Sequence, residues 1–295
     1  MKIDRDMIII VCFCIVFSVF LLFDNKVDAS SDNFIIVEKE VTVYRKDNTI
    51  TLPINKYLIG VVGCEVDAEY EMEALKTQAI VARTYALKKI SDGNKLTDDT
   101  TTQCYKDDDE LRDKWGSNYD KYYKKIEKAV NDTENLAIYY DNKLIDAVYH
   151  SISNGYTEDA KEVWGSDIEY LVSVDSSWDK EDRNYMDVVS IDIDEFLISL
   201  GVTTPNYNIL SKDKTGRVEK IKVGDKVFSG IDFRKILGLK STDFKIDVDP
   251  NKVTITTYGY GHGVGLSQDG ANYMAKKGYT FDEIVKYYYK GVNIK

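Results

Sequence analysis

The sequence lacks the excess of basic residues that nucleic-acid-binding proteins carry. Its 39 lysines and arginines are outnumbered by 50 aspartates and glutamates, so the formal net charge is −11. This charge argues against nucleic acid as the main partner. The acidic residues are spread along the chain and are not gathered in a tail, so we interpret them as solvated surface. Internal repeats and low-complexity stretches are also absent from the sequence.

Histidine and cysteine are scarce as well. Apart from two cysteines in an apolar run near the N-terminus, the chain has Cys64, Cys104, His150 and His262. A zinc site built from these four is conceivable, but no pair of them has the short spacing of a structural zinc site. We therefore predict neither a metal nor a cofactor. Cys64 and Cys104 either form one disulfide or stay free, and the sequence does not decide between the two.

One uncharged apolar run stands near the N-terminus. Met7 to Phe23 has 17 residues without a charge, the lower limit for a membrane-spanning helix. Lys2 and Arg5 precede it, so we expect this end in the cytoplasm. A small-residue stretch after it is a weak cleavage site, so the run is either a cleaved signal peptide or an uncleaved membrane anchor. The length of the apolar run favours the anchor. Residues 1–30 are thus predicted to anchor a single-pass protein in the cell membrane, with residues 31–295 on the extracytoplasmic side.

Hydrophobic periodicity predicts an α+β fold with a mixed, mostly antiparallel sheet and packed helices. Residues 214–239 read as two strands around Gly224 and a helix, within a possible small subdomain at about 188–245. We expect a substrate groove between this subdomain and the core. Further strands are expected at residues 34–45, 49–52, 136–140, 144–150 and 253–258, and further helices at residues 118–131, 191–200, 267–276 and 281–289.

Asn55 to Ile90 reads as two helices joined by a short acidic turn, with Asn55 as N-cap and the second helix starting near Glu73. Glu65 ends the apolar stripe of the first helix. Burial and the helix C-terminus would both raise the pKa of its carboxyl group. A protonated glutamate is what general acid catalysis requires. Most glutamates are solvated, however, so a surface residue that merely ends a helix is the alternative.

Two later stretches are also candidates for a site. Residues 151–158 place hydroxyl, amide and glycine residues after a predicted strand, which indicates either a ligand-binding ledge or an ordinary turn with Thr157 as N-cap. In residues 258–271, glycines alternate around Tyr260 and His262, and glycine permits close backbone approach or a positive φ. His262 is therefore either a buried structural histidine or a site residue.

Four blocks of the sequence resemble the stage II sporulation protein D family, also described as an amidase-enhancer domain. They are residues 57–65 with 73–84; residues 100–105; residues 149–158 with Trp164, Tyr170 and Leu171; and residues 259–271 with Tyr287 and Tyr288. The resemblance covers nearly all of the chain outside the predicted anchor. Its first and last blocks are highly specific.

The resemblance implies a lytic transglycosylase. Such an enzyme cleaves the bond between N-acetylmuramic acid and N-acetylglucosamine in peptidoglycan and closes a 1,6-anhydro ring, here in wall remodelling during forespore engulfment. It implies Glu65 as the catalytic residue, with Glu73 as runner-up, and the stage II sporulation P amidase and M membrane protein as partners. Positions that match the family's groove are Lys76, Gln78, Arg83, Thr84, Gln103, Ser151, Ser153, Asn154, Thr157, Tyr170, His262, Ser267 and Gln268.

The chain departs from the family pattern near these blocks. No proline follows Glu65 closely, Val172 replaces a basic residue, and Asp269 replaces a tyrosine. These departures favour an alternative, a glycan-holding protein that enhances an amidase without cutting. The sequence also has no convincing second carboxylate for hydrolysis by an ordinary glycosidase mechanism, which a lytic transglycosylase does not need.

Overall fold

Two helices joined by a short turn organise the structure, a computed structural model that describes residues 39–295. α1 spans Ile54–Glu65 and α2 spans Met72–Ser91, close to the predicted bounds. The apolar stripe of α1 is fully buried, and Glu65 is its last residue. The predicted N-cap at Asn55 is wrong. The helix begins at Ile54, with Pro53 at the N-cap position, two residues before Asn55, and the Asn55 amide donates to Glu134 instead.

A small sheet precedes and follows this helix pair. β1 (Glu40–Tyr44) and β2 (Thr49–Pro53) form the predicted antiparallel hairpin. β3 (Leu96–Thr97), which follows α2, adds to β1 in parallel. Val41 and Val43 alternate with exposed residues and are buried, as expected for a strand with one face toward the core. The N-terminal part of the predicted strand 34–45 lies outside the described residues.

Two helices pack next to α1. α3 (Asp108–Trp115) was not predicted, although Asp107 and Glu110 form a capping box, a recognisable start signal. α4 (Tyr119–Asp132) confirms the predicted helix at 118–131. The chain then forms β4 (Ile138–Tyr140), β5 (Lys143–Leu144), β6 (Tyr149–His150) and α5 (Ala160–Trp164). The single strand predicted at 144–150 is wrong, because a turn at Asp146 to Val148 interrupts it.

A second hydrophobic core is built by residues between 189 and 255. Its buried members include Phe196, Phe233 and Phe244. The strand β7, which was not predicted, pairs with β12 along its whole length, while the helix expected at 191–200 starts only at Ile193. The elements of this region are β7 (Met186–Asp192), α6 (Ile193–Leu200), β8 (Tyr207–Lys212), β9 (Val218–Val223), β10 (Lys226–Ser229), α7 (Gly230–Ile236), β11 (Phe244–Val248) and β12 (Lys252–Tyr258).

The closing segment returns to α2. After β12 come β13 (Leu266–Ser267), α8 (Gln268–Lys276), α9 (Phe281–Tyr288) and β14 (Asn293–Ile294). β13 pairs in parallel with β6, and α8 and α9 pack on α2. Gly265 has a φ of +74°, and a Cβ there would lie 2.1 Å from the Val148 carbonyl oxygen, so only glycine fits. The predicted glycine-dependent backbone approach is confirmed at this position.

The structure is thus α+β with mostly antiparallel pairing, as predicted, but the strands within residues 39–295 form five small sheets and not the one sheet that was predicted. Parallel pairing occurs between β1 and β3 and between β6 and β13. Residues 39–295 lie within one compact unit. Among the helices within residues 39–295, none is long and apolar enough to cross a membrane, and the predicted anchor at residues 1–30 lies outside the described part.

Replacing Phe233 tests the second core. Phe233 is fully buried and its ring packs against Phe196, Phe228 and Phe244. We expect Phe233→Ala to lower the free energy of unfolding of the full chain by about 3–5 kcal/mol, because it leaves a cavity. Ile198→Ala, at a position 80% exposed, should change it by less than about 0.5 kcal/mol. Equal effects in chemical denaturation would contradict the assignment of this core.

Candidate active site

Glu65 places its carboxyl group in a half-buried position at the end of α1. Its Oε1 accepts a hydrogen bond from the Cys104 backbone N–H at 2.7 Å. The same oxygen accepts a second one from the Tyr149 hydroxyl at 3.0 Å. Within residues 39–295, no aspartate or glutamate is a hydrogen-bond partner of this carboxyl group. Glu65 is thus surrounded by donors, and no carboxylate partner adjoins it.

Burial raises the pKa of the Glu65 carboxyl group above its usual range. Hydrogen bonds from the Cys104 N–H, Tyr149 and Gln268 and the charge of Lys114 oppose this effect. Since burial outweighs them, the protonated form persists to a higher pH than in a solvated glutamate. The residue therefore meets the requirement for a general acid, and the alternative of a solvated surface glutamate does not describe its surroundings.

Tyr149 connects Glu65 to a buried amide. Its hydroxyl also lies 3.2 Å from Oε1 of Gln103, whose Nε2 donates to the Tyr57 hydroxyl and to the Ala82 carbonyl oxygen. One phenolic O–H donates to one acceptor at a time. It can thus donate to an ionised Glu65, or to Gln103 while a protonated Glu65 donates to the phenol. The network accommodates both protonation states. Gln103 was among the predicted site residues, but Tyr149 was not singled out.

Gln78 and Gln268 close the other side of the site. Both are buried, and the Gln268 Nε2 donates to the Gln78 Oε1 at 3.4 Å. Ser267 caps α8, and its hydroxyl donates to the buried Asp179 at 2.7 Å. The Asp269 N–H, also in the first turn of α8, donates to the Ser151 carbonyl oxygen. Ser151 and Ser267 therefore hold the start of α8, which carries Gln268 toward Glu65.

Asp179 is a central residue that the sequence analysis missed. Its Oδ2 accepts hydrogen bonds from the Ser153 N–H at 2.8 Å and from the hydroxyls of Ser176 and Ser267. Burial raises its pKa to about 6, against these hydrogen bonds. Asp179 lies in a short 3₁₀ helix with no motif around it. Its carboxyl group joins three segments that are distant in sequence, those that contain Ser153, Ser176 and Ser267.

A disulfide lies directly beside the catalytic candidate. Cys64 is bonded to Cys104, with Cα atoms 5.7 Å apart, which settles the alternative that the sequence left open. Cys64 precedes Glu65, and Cys104 supplies the N–H donor to it. The disulfide therefore keeps the Cys104 N–H close to the Glu65 carboxyl group that accepts its hydrogen bond. Lys114 adds to this by donating to the carbonyl oxygens of Gly63 and Cys64.

The turn after Glu65, where the family proline is missing, is held by other contacts. Tyr70 donates its hydroxyl proton to Asp269, the residue that replaces a tyrosine. The Lys125 amine donates to the carbonyl oxygens of Ala68 and Tyr70. These contacts connect the turn to α8 and α4. Two of the three departures from the family pattern thus meet in one place, and the turn is held by these hydrogen bonds.

Glu73 and Lys76 lie in a separate network. The Lys76 amine contacts the Glu73 carboxylate at 2.9 Å and Asp132 at 3.3 Å. The other Glu73 oxygen accepts from the Phe281 N–H at the start of α9. These bonds attach α2 to α4 and α9. None of them leads to Glu65, so the geometry favours Glu65 over its runner-up.

Arg83 and Thr84 are fully buried and do not face a groove. The Arg83 guanidinium donates to the carbonyl oxygen of Val130 in the last turn of α4 and to those of Thr133 and Leu136 just after this helix. The Thr84 hydroxyl donates to Ile80 and accepts from the Ile138 N–H. The prediction that Arg83 and Thr84 contact the substrate is therefore corrected, because their polar atoms already form hydrogen bonds within the protein.

Ser153, Asn154 and Thr157 are also buried, and their bonds hold the polar ledge itself. The Ser153 hydroxyl accepts from Gly155, and the Thr157 hydroxyl accepts from Val174. The Asn154 side chain donates to the Asp243 carboxylate at 2.9 Å. Since Asp243 lies just before β11, the ledge connects to the second core. The structure does not bring these three side chains to Glu65.

His262 and Tyr170 lie at two further places. The His262 ring packs between Trp164 and His150, with centroid distances of 5.2 and 5.9 Å. Burial lowers the pKa of His262 to about 4, and the charges of Arg234 and Arg217 add to this effect. The ring is therefore neutral at pH 7. The Tyr170 hydroxyl accepts from the Asp146 N–H at 3.0 Å. Neither residue is a hydrogen-bond partner of Glu65.

A buried ion pair, also missed by the sequence analysis, lies between the glycine-rich segment and the second core. Arg217 contacts Glu158 at 3.3 Å, and both are almost fully buried. Burial raises the pKa of Glu158 to about 7, although Arg217 opposes this. A Cβ on Gly263 would lie 2.7 Å from the guanidinium. Gly263 therefore makes room for this pair, which explains one of the glycines that the sequence pattern marked.

Thiol titration tests the disulfide. In a background with Cys12→Ser and Cys14→Ser, the denatured chain should show no free thiol before reduction and two after it. Changing Cys64 and Cys104 together to serine should lower the free energy of unfolding by about 4 kcal/mol, since a closed loop of 40 residues constrains the unfolded chain. Two reactive thiols without reductant would contradict the bond.

Comparisons with known proteins identify the family of the chain. A family model described as "Stage II sporulation protein" matches residues 44–140, which include Glu65, Gln103 and α2. The chain is 41% identical over 268 residues to "Stage II sporulation protein D" of Bacillus amyloliquefaciens, and equally to that of Bacillus subtilis (strain 168). Each alignment covers 86% of this chain and 78% of the relative.

A more distant relative carries a different name. The chain is 28% identical over 295 residues to "Amidase enhancer" of Bacillus subtilis (strain 168), with 80% of this chain and 40% of that protein covered. The two stage II sporulation proteins D match more closely and over most of their length. The chain therefore belongs to the stage II sporulation protein D family.

Proposed function

We propose that this protein is a lytic transglycosylase that cleaves peptidoglycan between N-acetylmuramic acid and N-acetylglucosamine. The observation that carries the proposal is the Glu65 carboxyl group, half-buried, with a raised pKa and two hydrogen-bond donors on one oxygen. Such a group is protonated over a wider pH range than a solvated glutamate and is held in one orientation. Both properties are needed by a single residue that acts first as an acid and then as a base.

The proposed reaction needs only this carboxyl group. Protonated Glu65 donates its proton to the glycosidic oxygen, and the bond from that oxygen to the muramyl C1 breaks, leaving an oxocarbenium-like carbon. The Glu65 carboxylate then removes the proton from the C6 hydroxyl as the C6 oxygen bonds to C1. The products are a free sugar hydroxyl and a 1,6-anhydro ring, and no water is consumed. Hydrogen bonds from Cys104 and Tyr149 stabilise the carboxylate between the two steps.

The cellular setting is proposed from the family and from the disulfide. Stage II sporulation proteins D are the relatives, so we propose a role in wall remodelling during sporulation, with the P amidase and the M membrane protein as partners. Disulfides persist mainly in oxidising compartments. The Cys64–Cys104 bond therefore supports placing the described part outside the cell membrane. We propose residues 1–30 as its attachment.

A second function is supported by one comparison. The relative named "Amidase enhancer" favours a protein that holds glycan strands for an amidase and does not cut them. In that case Glu65 would bind and not react. The two functions differ in their products, since only the transglycosylase releases muropeptides that are lighter by one water than hydrolysis products.

Glu65→Gln separates the two functions. The substitution keeps the shape of the side chain but removes the transferable proton. We expect release of anhydro-muropeptides from purified glycan strands to fall by about 10²–10⁴-fold, while the thermal midpoint stays close to that of the unmodified protein. Mass spectrometry of the products measures this. Undiminished release by the variant, or no anhydro product from the unmodified chain, would exclude Glu65-dependent transglycosylation.

The pH dependence of the reaction gives an independent test. Activity requires protonated Glu65, so it should decline as pH rises through the raised pKa of this residue. The Tyr149 hydrogen bond favours the ionised form and lowers that pKa. Tyr149→Phe should therefore move the alkaline limb of kcat/KM to higher pH. Tyr279→Phe, at an exposed position, is the control and should leave the limb in place. A shift to lower pH with Tyr149→Phe would contradict the assignment.

A further inference from the structure

A cleft of about 540 Å³ lies at the C-terminal end of α2, away from the hydrogen-bond partners of Glu65. Lys88 lines it from the last turn of α2, and Asp92 lines it as the residue that follows this helix. Tyr140 and Lys143 line it from the hairpin of β4 and β5, and Tyr170 completes it. Of these residues, Tyr170 alone was expected at a site. The cleft is called the α2-end cleft below.

Two tyrosine rings form one wall of the α2-end cleft. The rings of Tyr140 and Tyr170 lie 5.4 Å apart and are inclined by 47°. Their hydroxyl groups are engaged, that of Tyr140 with Glu169 and that of Tyr170 with Asp146. The rings are therefore held in place before any ligand arrives, which lowers the entropic cost of binding. Half-exposed rings with polar edges suit the amphipathic faces of sugars.

Charged groups surround these rings. Lys143 is exposed on the hairpin, and the Lys88 amine lies 2.6 Å from Asp92. Asp141 also lines the cleft. Amines beside aromatic rings match a saccharide that carries carboxylates, while the carboxylates of the cleft can accept hydrogen bonds from sugar hydroxyls. A peptidoglycan strand has both features, because muramyl units bear a carboxylate-containing ether or its peptide.

A line of polar residues leads from Glu65 to the α2-end cleft. The Tyr149 hydroxyl donates to Glu65, and Asp146 lies three residues before Tyr149 on the same segment. Asp146 is hydrogen-bonded to Tyr170, which lines the cleft. Along α2, ten residues separate Gln78 from Lys88, which corresponds to about 15 Å. Lys88, which lines the cleft, thus lies about 15 Å along α2 from Gln78, the hydrogen-bond partner of Gln268, and a glycan strand of several sugar rings spans such a distance.

We propose that the α2-end cleft is a remote subsite that binds the same glycan strand several sugar rings away from the bond at Glu65. This inference rests on the proposed function, since it takes the peptidoglycan strand as substrate. The subsite makes affinity depend on strand length. Short oligosaccharides occupy the region of Glu65 alone, whereas long strands also reach Tyr140, Lys143 and Tyr170.

Binding to a catalytically silent protein tests the subsite separately from the chemistry. The full chain with Glu65→Gln is titrated with long, amidase-treated glycan strands and with a tetrasaccharide from the same material. Adding Lys143→Glu should weaken binding of the long strands about tenfold and leave tetrasaccharide binding unchanged. Lys222→Glu, an exposed residue of β9 with the same change in charge, should alter neither. Tyr140→Ala should act like Lys143→Glu.

The outcomes are distinct. Unchanged binding of long strands by the Lys143 and Tyr140 variants would overturn the subsite, as would an equal loss with Lys222→Glu. An equal loss for long strands and tetrasaccharide would overturn it too, because the residues would then act on the Glu65 region or on the fold. The failure of the proposed reaction appears elsewhere, as the absence of anhydro products from the unmodified chain, and leaves these binding measurements intact.

Discussion

The hydrogen bond from the Cys104 N–H to the Glu65 carboxyl group is the contact on which the site depends. It joins the end of α1 to a loop that is 39 residues further along the chain. The disulfide between the neighbouring Cys64 and Cys104 keeps the two segments together. A buried carboxylate without donors would be costly, and donors without burial would leave the acid ionised at neutral pH. The combination holds a carboxyl group that can exist in both protonation states.

The rest of the polar network supports this carboxyl group from a distance. Asp179 accepts hydrogen bonds from Ser267 at the start of α8 and from the Ser153 N–H. It thereby holds the helix on which Gln268 lies beside Glu65. Tyr70 and Asp269 fix the turn between α1 and α2 to the same helix. Most buried polar side chains around the site form hydrogen bonds with backbone groups of the protein. These side chains therefore stabilise the fold around Glu65 and Tyr149.

Sequence reasoning succeeded where the pattern was local. The helices α1 and α2 follow from apolar periodicity, and so does the position of Glu65 at the end of a buried stripe. It failed for Arg83 and Thr84, which lie in the same specific block but bond to α4 and β4. A conspicuous polar residue in a buried helix needs a partner, and the partner can be a carbonyl oxygen as well as a ligand. Tyr149 and Asp179 were missed because their partners are distant in sequence.

The sequence by itself determined the helix pair α1 and α2, the α+β class and the family, since these depend on periodicity, turn residues and specific blocks. It also determined Glu65 as the carboxyl group at the end of α1. Only the tertiary structure decided that Cys64 and Cys104 are bonded, that Tyr149 reaches Glu65, and that Glu73 belongs to a different network. The physical reason is that burial and hydrogen bonding depend on segments brought together in space, and these interactions set the protonation of Glu65.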